Sequence, residues 1–162
     1  MQKYHRINII LHWLIFLLVV FVYYTGWYRA LPLHRFAGGL VLVLAVIRLV
    51  TMHVWRRRFP DLSVNKWEKY AAMATKIALA LLFIVVPILG IVFRMYFGLD
   101  LVYFGQVVVP AHLVSENHII GESLRQWHVG LAYLALLLLA GHAGAAIYHH
   151  TVRKDNLLNR MF

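Results

Sequence analysis

The chain has 162 residues, 62% of them hydrophobic and 14% charged, with a mean hydropathy of +0.72, which places it among integral membrane proteins. It has no cysteine, which excludes disulfides, iron–sulfur clusters, thiol catalysis and CxxCH-type covalent cofactor attachment. The net charge of +10 does not point to nucleic acid, because most of the cations lie between apolar runs, where they read as topology signals and headgroup contacts.

Four spans are predicted, at residues 7–24, 34–54, 71–93 and 127–148, each close to the ~20 residues a helix needs to cross a bilayer. Helix is the expected state, since an open apolar strand would leave its backbone groups unpaired in lipid. No linker, low-complexity tract or repeat divides the chain, so residues 1–162 are read as one domain. The fold expected is all-α and integral to the membrane, a four-transmembrane-helix bundle with both termini cytoplasmic. The orientation comes from Lys and Arg. Ten fall on one side (Lys3, Arg6, Arg56, Arg57, Arg58, Lys66, Lys69, Arg153, Lys154, Arg160) and four on the other (Arg29, Arg35, Arg94, Arg125), and the richer side is the cytoplasmic one.

The first span opens KYHRINIILHW, which puts His12 about one turn inside the cytoplasmic edge. The first run is longer than a signal-peptide core and has no evident cleavage site, so it is read as a retained span. A short outer connection through Trp27 and Pro32 leads to His34, which starts the second span at its outer edge. Gly38 follows one turn later on the same face, and its bare backbone would let a flat ring lie against the helix. The third span has no histidine, and its Pro87 is expected to kink it without ending it. The outer connection after it, to about Gln126, is the longest, and a short surface helix is expected within 115–125. The fourth span reads WHVGLAYLALLLLAGHAGAAIYHH, with Ala132 one turn after His128 and Gly141 and Gly144 flanking His142. These small residues suit either a macrocycle or ordinary small-residue helix packing.

Depth decides which histidines can meet. Fourteen residues separate His128 from His142, which returns to within about 40° of the same face and about 21 Å along the axis, so they sit near the two edges of a ~30 Å hydrocarbon core. His142 shares the inner depth with His12, and His128 shares the outer depth with His34. A lone buried histidine is more often a structural hydrogen-bonding group. Two depth-matched pairs, in spans where ionisable groups are costly, point instead to metal ligation. Zinc normally wants three or four clustered ligands, whereas each level offers two, so a haem between two imidazoles fits better. Such iron has no open coordination site and favours electron transfer. Arg48 shares the face of His34 at the depth of His12 and His142. It is expected to pair with an inner haem propionate, the alternative being to snorkel to the headgroups. Arg35 and Arg125 are the corresponding candidates for the outer haem, the alternative being interfacial anchors.

The opening KYHRINIILHW, HRFAGG after the short loop, WH at 127–128, GHAGAAIYHH and KDNLLNRM together resemble the bacterial cytochrome b561 family across all four spans. The resemblance implies a small inner-membrane protein with two non-covalent haem b groups, ligated by His12, His34, His128 and His142. It implies electron transfer between the outer face and ubiquinone, in one branch as a superoxide:ubiquinone oxidoreductase. A related group supplies the cytochrome b electron-relay subunits of hydrogenases and other dehydrogenases, so such a partner is the alternative function. The compact first outer loop and the long outer loop depart from the family pattern where a donor would dock.

At the inner exit, His149 repeats the face of His142 about 10 Å nearer the cytoplasm. An imidazole there can donate to a ubiquinone carbonyl and deliver a proton, with His150 and Asp155 as relays; the alternative is a headgroup anchor. At the outer face Arg29, Arg35, Arg94 and Arg125 outweigh Asp100, Glu116 and Glu122, which would steer a small anion such as superoxide. A transporter is disfavoured, because the spans lack broken helices or acidic strings forming a midplane site.

Overall fold

The structure, a computed structural model, describes residues 5–55 and 65–155. Lys3, Arg56, Arg57, Arg58 and Arg160, all used above to orient the chain, lie outside the described residues. So does most of the KDNLLNRM tail.

Four helices account for the apolar runs: α1 (Arg6–Trp27), α2 (Leu31–Val54), α3 (Lys66–Tyr96) and α4 (His118–Thr151). Each is long and apolar enough to cross a membrane, and each is apolar around most of its circumference, as helices in lipid are. On α1 the buried positions Asn8, Leu11, Ile15 and Val19 form one stripe. Between them Ile10 and Leu17 are 64% and 62% exposed, a pattern suited to lipid rather than water.

Successive helices pack as antiparallel hairpins, α1 on α2 and α3 on α4, and α2 also packs on α3. The core centres on Ile15, Val19 and Val41, with Leu18, Val22, Tyr23, Leu44, Phe83 and Leu139 packed against it, so all four helices contribute. The Tyr23 hydroxyl donates to the Ala132 carbonyl at 2.5 Å and ties α1 to α4. The α1–α2 connection is a tight helix stop. Arg29 sits at φ 56°, with Ala30 N–H bonded to Thr25 O at 2.9 Å and Arg29 N–H to Gly26 O at 3.2 Å, the Schellman pattern. Gly98, at φ 67°, ends α3 in the same way, and there the left-handed position is filled by the residue best suited to it.

One expectation needs correcting, and one element was not anticipated. The outer connection carries an antiparallel hairpin, β1 (Leu101–Tyr103) and β2 (Gln106–Val109), followed by a 3-10 turn at Ala111–Leu113. Phe104 and Gly105, both at positive φ, close it as a two-residue turn. The expected short surface helix within 115–125 is instead the first part of α4, which runs unbroken from an Asn117 cap whose side chain accepts from Ile119 N–H and Ile120 N–H. Pro87 lies inside α3 without ending it, as expected. The hairpin is pinned to α2 by Tyr103, whose hydroxyl donates to Arg35 O at 2.8 Å. Gly39 is required beneath it, since a Cβ there would lie 2.6 Å from the Tyr103 oxygen.

Candidate functional site

The four span histidines come together as two pairs. His12 of α1 faces His142 of α4 with ring centroids 6.3 Å apart and planes at 78°. His34 of α2 faces His128 of α4 at 6.2 Å and 81°. All four are partly buried. These separations can be compared with what a shared metal would require. A metal–imidazole bond of about 2.0 Å, plus roughly 1.1 Å from nitrogen to ring centre, taken on both sides, gives about 6.2 Å. Among the described residues no group of three or more His, Cys, Asp or Glu could hold a metal ion, so a two-coordinate protein contribution is what each level offers.

The outer rings are held by backbone. His34 Nδ1 lies 2.9 Å from Val22 O, and His128 Nδ1 lies 2.8 Å from Val86 O. A carbonyl can only accept, so each Nδ1 carries the ring proton and each Nε2 keeps its lone pair for a metal. Two glycines make room for these rings. A Cβ at Gly26 would stand 3.1 Å from His34 Nδ1, and one at Gly90 would stand 3.1 Å from His128 Cε1. Phe93 adds an edge contact to His128, with centroids 5.6 Å apart.

The inner level is held differently. Arg48 Nη1 lies 2.7 Å from His12 Nδ1, so Arg48 turns inward rather than snorkelling to the headgroups. Behind it the Thr51 hydroxyl lies 2.7 Å from Asn8 Oδ1 and 2.9 Å from Arg48 O. Asn8 is 97% buried by residue, at 3% exposure, and its Nδ2 has no partner, an unmet donor beside the inner pair. A guanidinium has only donors, so a His12 ring ligating through Nε2, with its proton on Nδ1, would release Arg48 to another acceptor.

A haem fits these surroundings. A Cβ built at Gly38, one turn after His34, or at Gly141, next to His142, meets nothing within 4 Å, so the helix surface beside these two histidines is open to a flat ring.

Arg125 makes two hydrogen bonds to Glu122 on its own helix, at 2.7 and 2.6 Å. Arg35 Nε donates to Leu31 O at 3.1 Å. Arg94 donates to Asp100 O at 2.9 Å, and its charge acts on both Arg35 and Tyr103. Tyr103, outside the spans, has its pKa raised by burial, a shift opposed by the charges of Arg35 and Arg94. At the other end His149 Nδ1 meets Asp155 Oδ2 at 2.5 Å with both side chains mostly buried, and Arg153 bridges to Glu68 at the start of α3 at 2.7 Å. His150 is exposed. Sequence reasoning missed Gly26, Gly90 and the two carbonyls. Gly90 alone left a signal, as a glycine on the histidine-free helix at the depth of His128.

Four apolar spans with imidazoles facing one another between them are the framework of a membrane-bound b-type cytochrome. The chain belongs to the prokaryotic cytochrome b561 family, whose model it matches over residues 3–162. It is 32% identical to cytochrome b561 homolog 1 of Escherichia coli (strain K12), over 99% of this chain and 97% of that one. It is 30% identical to a Yersinia pestis protein named probable superoxide oxidase CybB, over 99% and 96%. Against cytochrome b561 homolog 2 of Escherichia coli (strain K12) the identity is 29%, over 99% and 91%. It is therefore a multi-pass inner-membrane cytochrome that binds b-type haem and transfers electrons across the membrane.

Proposed function

We propose that the chain carries electrons singly from superoxide at the periplasmic face to ubiquinone, through two haems held one per leaflet by His34 with His128 and by His12 with His142. The observation that carries this reading is the pair of facing imidazoles at each of two depths, 6.2 and 6.3 Å between ring centres. Haem iron, when bound, supplies reversible one-electron storage between its ferric and ferrous states. The protein's part is to fix the four rings, keep Nε2 available through the Val22 and Val86 carbonyls, and exclude water with the apolar spans. Arg48 is assigned to an inner propionate, and Arg35 and Arg125 to outer ones. Both termini are placed in the cytoplasm by the Lys and Arg count.

The balance is simple. Each superoxide gives up one electron and leaves as dioxygen; two electrons and two protons convert ubiquinone to ubiquinol. The protons are assigned to His149, which is oriented by Asp155 at 2.5 Å and can donate to a quinone oxygen. His149→Ala is expected to slow quinone reduction about 10²-fold while both haem absorbance bands persist; loss of haem instead would refute the assignment.

The named relative from Yersinia pestis supports superoxide as donor, as does the outer pairing of Arg35 and Arg94, whose charges act on one another. With Arg125 held by Glu122, steering rests chiefly on Arg29, Arg35 and Arg94. The rate of reduction by superoxide is expected to fall as ionic strength rises from about 0.01 to 0.15 M, where the screening length shrinks from about 30 to 8 Å. A rate that ignores salt would remove the steering argument. The whole reading is tested by giving the purified protein superoxide and a soluble quinone. Quinol formation without a partner supports it, and a strict need for a dehydrogenase or hydrogenase would establish the electron-relay subunit instead.

A further inference from the structure

The two histidine levels differ in what faces the imidazoles. At the outer level both His34 and His128 donate from Nδ1 to backbone carbonyls, at 2.9 and 2.8 Å. Such a bond makes the imidazole a stronger donor to iron and favours the ferric state, lowering a potential. At the inner level His12 Nδ1 faces a guanidinium at 2.7 Å instead of a carbonyl. A second cation, the exposed Lys76 on α3, the helix that packs against α4, also acts electrostatically on His142, as does Arg48. Reduction adds one negative charge to an iron site, and a fixed cation nearby stabilises that added charge. Arg48 is partly buried, where mobile salt screens a charge less, and arginine stays protonated throughout the usable pH range.

We propose that Arg48 and Lys76 set the inner haem's reduction potential above that of the outer haem, so that electrons run downhill from the outer leaflet to the inner one. The inference rests on the assignment of the two histidine pairs as haem ligands, and it adds a direction that ligand identity alone does not supply. Arg48 acts in the same sense whether it stays by His12 or moves to a propionate. In the first case its charge favours the ferrous state directly. In the second, its removal exposes an uncompensated carboxylate that disfavours that state. Thr51 and Asn8 fix the turn of α2 that carries it, so both are positioning residues for this charge.

The test is a redox titration of the purified holoprotein followed by haem absorbance. His12→Ala and His34→Ala, each retaining one haem, assign the two midpoints to levels. The higher midpoint is expected in His34→Ala, which keeps the inner haem. Arg48→Gln and Lys76→Gln are each expected to shift the inner midpoint downward and leave the outer one in place, while Arg48→Lys restores most of the inner value. Should Arg48→Gln lose the inner haem, Lys76→Gln, on a different helix, decides alone. Equal midpoints, a higher outer midpoint, or a charge removal that moves both or neither would overturn the proposal. A different result, both haems retained in either histidine variant, would instead overturn the ligand assignment beneath it.

Discussion

His142→Ala is expected to bring haem content from two per chain to one, to leave the outer haem's absorbance unchanged, and to reduce superoxide-driven quinone reduction to background. The reason is the spacing of the two levels. His142 and His128 share α4 but stand about 21 Å apart along it, well beyond the 7–10 Å within which substitutions usually couple. The inner level then keeps only His12, whose Nδ1 is already engaged with Arg48, and a single imidazole offers half of the axial coordination. The bundle itself should survive, because its central contacts, Ile15 and Val19 against Val41 and the Tyr23 bond to Ala132, do not include His142. The converse variant, His128→Ala, should empty the outer level alone. Haem extracted and counted per chain, with circular dichroism as the folding control, decides the matter. Unchanged haem content in His142→Ala, or loss of both haems from a folded protein, would contradict the two-level reading.

How far the sequence reaches is best judged residue by residue. The spans were legible because a bilayer asks for about 20 apolar residues whatever their neighbours, and α1 and α2 begin within three residues of the expected positions. The starts of α3 and α4 were not: they lie five and nine residues before the expected ones, because Lys66–Tyr70 and His118–Gln126 are polar stretches where apolar pattern stops being informative. The meeting of His12 with His142 and of His34 with His128 could be anticipated from depth, which follows from counting residues along a straight helix. Azimuth could not. That His128 leans on Val86 of the third helix, and His34 on Val22 of the first, depends on how the helices rotate against one another, and no spacing within one helix reports that. Arg48 was placed at the right depth, but its choice of His12 over the headgroups is a tertiary fact. The hairpin had a readable signature in Phe104-Gly105 between the strand-prone runs Leu101-Val102-Tyr103 and Gln106-Val107-Val108-Val109. It is easily passed over in a chain where four apolar helices dominate the composition.

Gly90→Leu is expected to remove the outer haem selectively, and it separates two roles that glycine plays in this bundle. At Gly90 a Cβ would already stand 3.1 and 3.3 Å from His128 Cε1 and Nδ1, so a branched side chain must push the ring off the Val86 carbonyl or pry α3 from α4. Overfilling of this kind costs about 1–3 kcal/mol. The cheaper relief is to turn the ring, because the ring is a side-chain terminus whereas α3 on α4 is the most extensive helix contact among the described residues. The displaced ring can no longer hold Nε2 opposite His34, so the outer level should lose its haem while the inner level keeps its own. Gly141→Leu makes the contrast. A Cβ at Gly141 meets nothing within 4 Å, so the apo bundle should tolerate leucine there without loss of helix content. If the open face beside His142 accommodates the inner haem, leucine should block that haem alone. The two variants therefore predict mirror-image absorbance losses from the same type of substitution. If Gly141→Leu left both haems bound, the open face would be lipid-facing surface instead, and the macrocycle would have to lie on the other side of His142.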